Sequence, residues 1–133
     1  MKKTLFVQLM ALSIFSVLML LPQKAYAGAD IKFTTTKVTV QDGCCQVYGY
    51  FTNNGDMAAE ITKSEISVTI KDENGNLLCS GSRTFDMGGL YVWGGSPYHT
   101  YYIYDSSFKT PSGKYYWNVS YYNWWNNVRP IGM

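Results

Sequence analysis

The residues that most often carry catalysis are sparse in this chain of 133 residues. It contains one histidine, His99, and nine carboxylic acids without a distinctive spacing. Acyl transfer needs an imidazole beside a nucleophile, and glycoside hydrolysis needs two facing carboxyl groups. Since His99 falls inside a predicted strand and no carboxyl pair is singled out, we expect a binding protein rather than an enzyme. A small hydrolase is the least favoured interpretation.

Two segments look at first like ligand loops. Residues 72–76 begin like a calcium loop, but Leu77 stands where that loop needs glycine and Arg83 where it needs glutamate. The glycine pairs at residues 88–89 and 94–95 lack the helix and lysine of a phosphate loop. We therefore expect no metal and no cofactor.

The three cysteines suggest a disulfide if the chain is exported. Adjacent cysteines rarely bond to each other, so we predict a bridge between Cys45 and Cys79, with Cys44 as the alternative partner. Three reduced, buried thiols are the other possibility. A C-x-x-C spacing is lacking, which gives no support for redox chemistry or a zinc site.

The N-terminal residues 1–27 have the layout of a secretory signal peptide. Two lysines precede an apolar run, and residues 25–27 (AYA) place small side chains where a signal peptidase reads them. We predict cleavage before Gly28 and a single secreted domain of residues 28–133, extracellular or periplasmic. A retained membrane anchor is the alternative.

Cleavage would also change the charge balance. Three of the eleven basic residues lie in the leader, so eight would remain against nine acidic ones, and the formal charge would change from +2 to −1. Nucleic-acid binding needs a basic patch. We therefore expect no nucleic-acid partner.

The remaining sequence alternates apolar and polar residues with a period of two, which is typical of strands. A change of apolar parity after Phe33 predicts a bulge in the first strand, and Asn74-Gly75 predicts a hairpin. Residues 86–97 are expected to form a loop and residues 126–133 a loose tail. The predicted strands are residues 31–40, 45–52, 65–71, 77–85, 98–105 and 115–123.

Short strands with turns at this spacing predict an all-β, immunoglobulin-like antiparallel β-sandwich of six or seven strands. A small closed barrel has a similar pattern and remains the alternative.

Two segments resemble the FxLYD-type, immunoglobulin-like domains of exported bacterial proteins. They are residues 47–55 (VYGYFTNNG), a strand that ends in an Asn-containing turn, and residues 66–75 (ISVTIKDENG), an alternating strand that closes in a hairpin. The tyrosine of the naming motif is missing from residues 68–72 (VTIKD). The resemblance covers about half of the predicted mature chain. It implies a β-sandwich that serves as an adhesive or accessory module without a catalytic centre.

Aromatic residues are the outlier of the composition. The chain has 22, and 14 of them lie between Tyr91 and Trp125. Alternation assigns Tyr101, Ile103, Tyr115, Trp117, Val119 and Tyr121 to the core. If the fifth and sixth strands are neighbours, the other tyrosines form a cross-strand ladder on the opposite face. We predict an exposed aromatic surface made of Tyr91, Trp93, Tyr98, Tyr102, Tyr104, Tyr116, Tyr122, Trp124 and Trp125.

Tyrosine and tryptophan offer rigid contact area with a polar tip and are enriched at binding hot spots. We therefore expect a secreted binding or adhesion module with a protein or glycan ligand. A membrane-active protein that inserts Trp93, Trp124 and Trp125 is the second choice. A purely structural role of the aromatic residues in the sheets is the remaining alternative.

Overall fold

In a computed structural model of the chain, the structure describes residues 25–132. Nearly all of the predicted signal peptide therefore lies outside the described residues. The regular secondary structure of the described part consists of six strands. They are β1 (Ile31–Gln41), β2 (Cys44–Asn53), β3 (Met57–Asp72), β4 (Leu77–Val92), β5 (His99–Tyr104) and β6 (Tyr115–Pro130).

The six strands form two antiparallel sheets. Sheet A has the strand order β1-β2-β5, and sheet B has the order β4-β3-β6. The predicted β-sandwich is therefore confirmed. The barrel alternative is wrong, because each of these strands pairs within its own three-stranded sheet.

Alternating side chains of the strands fill the space between the two sheets. Their burial follows the period of two on which the strand assignment rested. Burying an aliphatic or aromatic side chain of this kind stabilises a fold by about 1.5–3 kcal/mol. The core includes Phe33, Val47, Phe51, Ile61, Ile66, Val68, Ile70, Val92 and Ile103.

Three strands extend beyond their predicted ends by several residues. β3 begins at Met57, β4 continues to Val92 and β6 continues to Pro130. The predicted loop and tail are thus wrong over residues 86–92 and 126–130. In the first case the glycines form a bulge: Gly88 and Gly89 have φ values of 58° and 77° where β4 bulges against β3. In the second case the tail pairs with the start of β3.

The side chain of Asn53 joins four segments at one end of the sandwich. It is buried, and its Oδ1 accepts hydrogen bonds from the backbone N–H of Asp30 (3.1 Å) and Gly55 (3.0 Å). Its Nδ2 donates to the carbonyls of Met57 (2.7 Å) and Val92 (3.1 Å). Both donors and both acceptor positions of the amide are therefore used.

The opposite end of the sandwich is closed by Phe108, which is fully buried although it lies outside the strands. Its carbonyl accepts a hydrogen bond from Gly43 N–H in the β1–β2 turn. A Cβ atom at Gly81 would lie 2.8 Å from the Phe108 ring, so this position of β4 needs glycine. Phe108 is therefore a core residue although it lies in the connection between β5 and β6.

The carboxylate of Asp56 holds the chain where it enters the domain. Its two oxygens accept hydrogen bonds from the backbone nitrogens of Ala27 and Gly28, both at 2.9 Å. The carbonyl of Asp56 accepts another from Ile131 N–H near the end of the chain. Both ends of the described chain therefore meet at the turn between β2 and β3.

The predicted disulfide is not formed, because Cys44, Cys45 and Cys79 are all free thiols. Alternation along β2 turns Cys45 into the core and Cys44 away from it. Cys45 and Cys79 are buried on facing sheets. Both are enclosed by the core side chains, and no S–S bond joins them. The two thiols serve as small apolar core side chains.

Replacing Asn53 with alanine should destabilise the fold strongly. The change leaves two buried backbone donors and two carbonyls without their partner, which should lower the free energy of unfolding by about 2–4 kcal/mol. Asn53→Asp should be at least as harmful, since a carboxylate cannot donate to the Met57 and Val92 carbonyls. Urea denaturation followed by circular dichroism measures the effect. The control is Asn54→Ala at the exposed neighbour, and an equal loss there would contradict the assignment.

The thiols should differ in their accessibility to Ellman's reagent. We expect native protein to react at Cys44 alone, because Cys45 and Cys79 are buried and burial raises the pKa of Cys45 to about 12, from an ordinary 9.0. All three thiols should react after denaturation without reductant. A count of one thiol in the denatured protein would show that a bridge exists after all.

Candidate functional site

All nine predicted surface aromatic residues are exposed. Their exposed fractions range from 36% for Trp125 to 70% for Tyr98, values that leave each ring accessible to a ligand. The surplus of aromatic side chains therefore does lie outside the core. These side chains do not, however, form one surface.

The expected ladder between the fifth and sixth strands is not formed. β5 pairs with β2 in sheet A, whereas β6 pairs with β3 in sheet B. The tyrosines of the two strands therefore lie on outward faces that point away from each other. The condition for the ladder, that the fifth and sixth strands are neighbours, is not met because the two strands belong to different sheets.

Five of the predicted residues lie on or beside the outer face of sheet B, but they are spread widely. Tyr91 in β4 and Trp93 directly after the strand flank the buried Val92, and Trp93 packs against the Arg129 guanidinium at 4.3 Å. On β6, Tyr122 and Trp124 make an edge contact at 4.7 Å, and Tyr116 lies further along the strand. Trp125 points to the other side of β6 because side chains alternate along a strand.

Sheet A has the denser group, which we call the tyrosine face: Tyr48, Tyr50, Tyr98, Tyr102 and Tyr104. Burial alternates along β2 and β5, so the tyrosines of these strands point outward while the side chains between them point into the core. Tyr50 contacts Tyr98 edge-on at 4.8 Å, while Tyr102 and Tyr104 lie nearly parallel at 6.4 Å. The rings therefore brace one another, which limits the side-chain entropy lost on binding.

A groove of about 390 Å³ adjoins the tyrosine face where β5 lies across from β4. It exists because β5 has 6 residues and β4 has 16, so that the edge of sheet A covers only part of sheet B. Its volume falls within the range of small ligand sites. The lining combines the apolar side chains of Phe85, Met87, Leu90 and Tyr101 with the polar ones of Arg83, Asp86 and His99.

Arg83 connects the two sheets at this groove. Its guanidinium donates a hydrogen bond to the Tyr102 carbonyl at 2.9 Å and lies over the rings of Phe85 and Tyr104. The bridge fixes β5 against β4. It also places a cation next to tyrosines, a combination that is enriched at binding hot spots.

Tyr101 forms the inner wall of the groove. Its ring is buried and packs edge-on against Phe33 and Phe85. Burial raises the pKa of its hydroxyl to about 12, so the phenol stays neutral at physiological pH. It can therefore act as a hydrogen-bond donor but not as a base.

His99 lies beside Ser96 and Asp86 in the lining of the same groove, but the three do not form a catalytic arrangement. The Ser96 hydroxyl accepts from Phe51 N–H at 2.9 Å and donates to the Pro97 carbonyl. It therefore stabilises the chain after β4. The imidazole of His99 makes an edge contact with the Tyr101 ring at 4.8 Å.

The structure corrects the predicted core of the sixth strand. Tyr101 and Ile103 are buried as expected, but Trp117 and Tyr121 are each 39% exposed. They point toward the core side, as predicted from alternation, yet β6 is an edge strand and the facing strand covers it incompletely. Tyr121 still contacts Phe33 at 6.2 Å.

Sequence reasoning missed Tyr48, Tyr50 and Arg83 as members of the site. Apolar and other residues alternate along β2, and this pattern could have identified the two tyrosines as outward-facing. The position of Arg83 could not be found in this way, because it depends on β4 lying opposite β5.

Other classes of site find little support in the described part of the chain. Residues 25–132 hold no cluster of three or more histidine, cysteine or acidic side chains placed to bind a metal ion. Among the same residues there is no helix of the length and hydropathy needed to span a bilayer.

Comparisons with known proteins give no match: no protein-family model, curated protein or solved structure is similar to this chain at a significant level. The resemblance to FxLYD-type domains therefore stays a prediction from the sequence.

Replacing Arg83 with methionine should loosen the groove without unfolding the domain. Methionine keeps an apolar stem but removes the bond to the Tyr102 carbonyl, and we expect a loss of about 0.5–1.5 kcal/mol in unfolding free energy. Hydrogen exchange of the β5 amides should become faster. Ser82→Met, at an exposed neighbouring position of β4, is the control. Unchanged exchange in β5 would refute the bridging role of Arg83.

Proposed function

We propose that this protein is a secreted, non-catalytic binding module that holds a protein partner against the tyrosine face and the adjoining groove. The observation that carries the proposal is the concentration of five outward tyrosines on β2, on β5 and at the residue before β5, directly beside an apolar groove with one bridging arginine. The groove can accept a side chain of the partner, and the tyrosines offer rigid rings for contact beside it.

The chemistry of the surface favours a protein ligand. Phe85, Met87 and Leu90 give the groove a floor that suits an apolar side chain of a partner. The surrounding tyrosine hydroxyls supply adaptable hydrogen bonds, and Tyr and Arg are the residues that dominate protein-binding energetics.

The arrangement of tryptophans gives less support to membrane insertion. Trp124 and Trp125 are neighbours in β6 and point to opposite sides of the strand. Trp93 is packed against a guanidinium. The three rings that would enter a bilayer therefore do not share one surface.

The experiment is a comparative capture from native culture medium, quantified by mass spectrometry. The bait carries Tyr98→Ala and Tyr102→Ala on the tyrosine face, and the matched control carries Tyr116→Ala and Tyr122→Ala on sheet B. All four residues are exposed, so both baits should fold. We expect a partner recovered by the unmodified and control baits to fall by about tenfold or more with the tyrosine-face bait, as the loss of hot-spot residues predicts.

Two further assays separate the alternatives. A glycan array and flotation with phosphatidylglycerol-containing vesicles compare the same three proteins: the unmodified one, the tyrosine-face double variant and the control double variant. Specific glycan or vesicle binding without a protein partner would replace the proposal. Equal recovery by both variant baits would remove the tyrosine face as the site.

A further inference from the structure

The described structure has four edge strands that differ in their protection. β1 and β5 flank sheet A, while β4 and β6 flank sheet B. An edge strand exposes unpaired backbone N–H and C=O groups, which can pair with another strand. Soluble proteins block such pairing with charged residues, bulges, short strands or a covering segment.

Three of these edges are protected. β1 carries Lys32 and Lys37 and has a bulge between Thr35 and Lys37. β5 is only 6 residues long, and Arg83 occupies its Tyr102 carbonyl. β4 carries Arg83 and Asp86 and is bent by its glycine bulge.

The edge of β6 has none of these devices over most of its length. The strand has 16 residues and is paired with β3 on one side, from Tyr115 to Pro130. Residues 115–128 contain neither a charged residue nor a proline. At about 3.3 Å per residue this segment offers roughly 45 Å of strand edge. In β6 the pairing with β3 is irregular near the C-terminal end of the strand, where Val128 has no partner residue in β3.

The side chains of this segment suit pairing with an identical strand. Its outer face presents Tyr116, Asn118, Ser120, Tyr122 and Trp124, a row in which two small polar residues lie between aromatic ones. Aromatic and amide side chains stabilise strand pairs when they lie opposite or diagonal to each other. An uncharged strand offers nothing to complement a charged partner strand, whereas a second copy matches it in length and in lack of charge.

We propose that β6 is a dimerisation edge that pairs antiparallel with β6 of a second copy of this chain. The antiparallel arrangement follows from symmetry, because the same edge of two identical sheets can meet only across a two-fold axis. Sheet B then becomes a continuous six-stranded sheet with the order β4-β3-β6-β6-β3-β4. The tyrosine face on sheet A remains free on both copies.

The test measures the association of the purified full-length secreted protein by analytical ultracentrifugation at about 1–100 µM, a range that detects micromolar dissociation constants. Ser120→Lys places a charge in the middle of the edge strand. Ser82→Lys is the matched control: both serines are exposed and flank Ser67 in the same cross-strand row, one on β6 and the other on β4.

We expect the unmodified protein and Ser82→Lys to dimerise with similar constants and Ser120→Lys to associate at least about tenfold more weakly, since like charges then meet across the two-fold axis. Backbone amides of β6 should gain protection from hydrogen exchange as the protein concentration rises. Circular dichroism confirms that the variants fold.

A monomer across the whole concentration range would overturn the proposal, including the case in which β6 accepts a strand of another protein. Dimers that survive Ser120→Lys, or that Ser82→Lys dissociates, would do the same. The tyrosine-face variants Tyr98→Ala and Tyr102→Ala should leave dimerisation unchanged. Failure of the dimer and failure of partner binding are therefore separate results.

Discussion

The amide of Asn53 is the interaction on which the two-sheet arrangement most depends. The residue ends β2 in sheet A, yet its side chain bonds to the first residue of β3 and the last residue of β4 in sheet B. It also accepts from Asp30 N–H just before β1. A single buried side chain thus fixes where the chain leaves one sheet and enters the other. Apolar contacts alone are non-directional and would not specify that crossing.

The crossing also explains the distribution of the aromatic residues. After β4 the chain passes from sheet B to sheet A, where Gly94 and Ser96 form backbone bonds with Asn53 and Phe51. After β5 it returns to sheet B. The aromatic-rich second half of the sequence is therefore divided between two outward faces. Only sheet A combines its share with tyrosines from another part of the chain, on β2.

Local patterns predicted most of the fold. The period of two in residues 66–70 corresponds to a strand in the structure. The Asn-Gly pair corresponds to a turn, and the parity change after Phe33 to a bulge. These features depend on neighbours in sequence, which is why one sequence suffices to find them. The ends of β4 and β6 were missed, since glycines in a bulge and an asparagine-rich tail are paired only through contacts with distant residues of β3.

The candidate site was predictable only in its composition. The sequence contains more aromatic residues than the core-facing positions of its strands can hold. The exposure of the nine aromatic side chains was predicted from this surplus. Their division between sheets, the burial of Phe108 and the bridge from Arg83 to Tyr102 depend on which strands face each other. Strand order is a long-range property, and alternation along a strand carries no information about it.

The hydrogen bond between Gly28 nitrogen and Asp56 has a consequence for maturation. If the leader is removed before Gly28, the neutral amide there becomes a primary ammonium group 2.9 Å from a carboxylate oxygen. The bond then has a charged group on both sides, where before only the acceptor was charged. Proteolysis would also remove the hydrogen bond from Ala27 N–H to the other Asp56 oxygen. An ion pair at the new chain terminus would thus replace two amide hydrogen bonds at the β2–β3 turn.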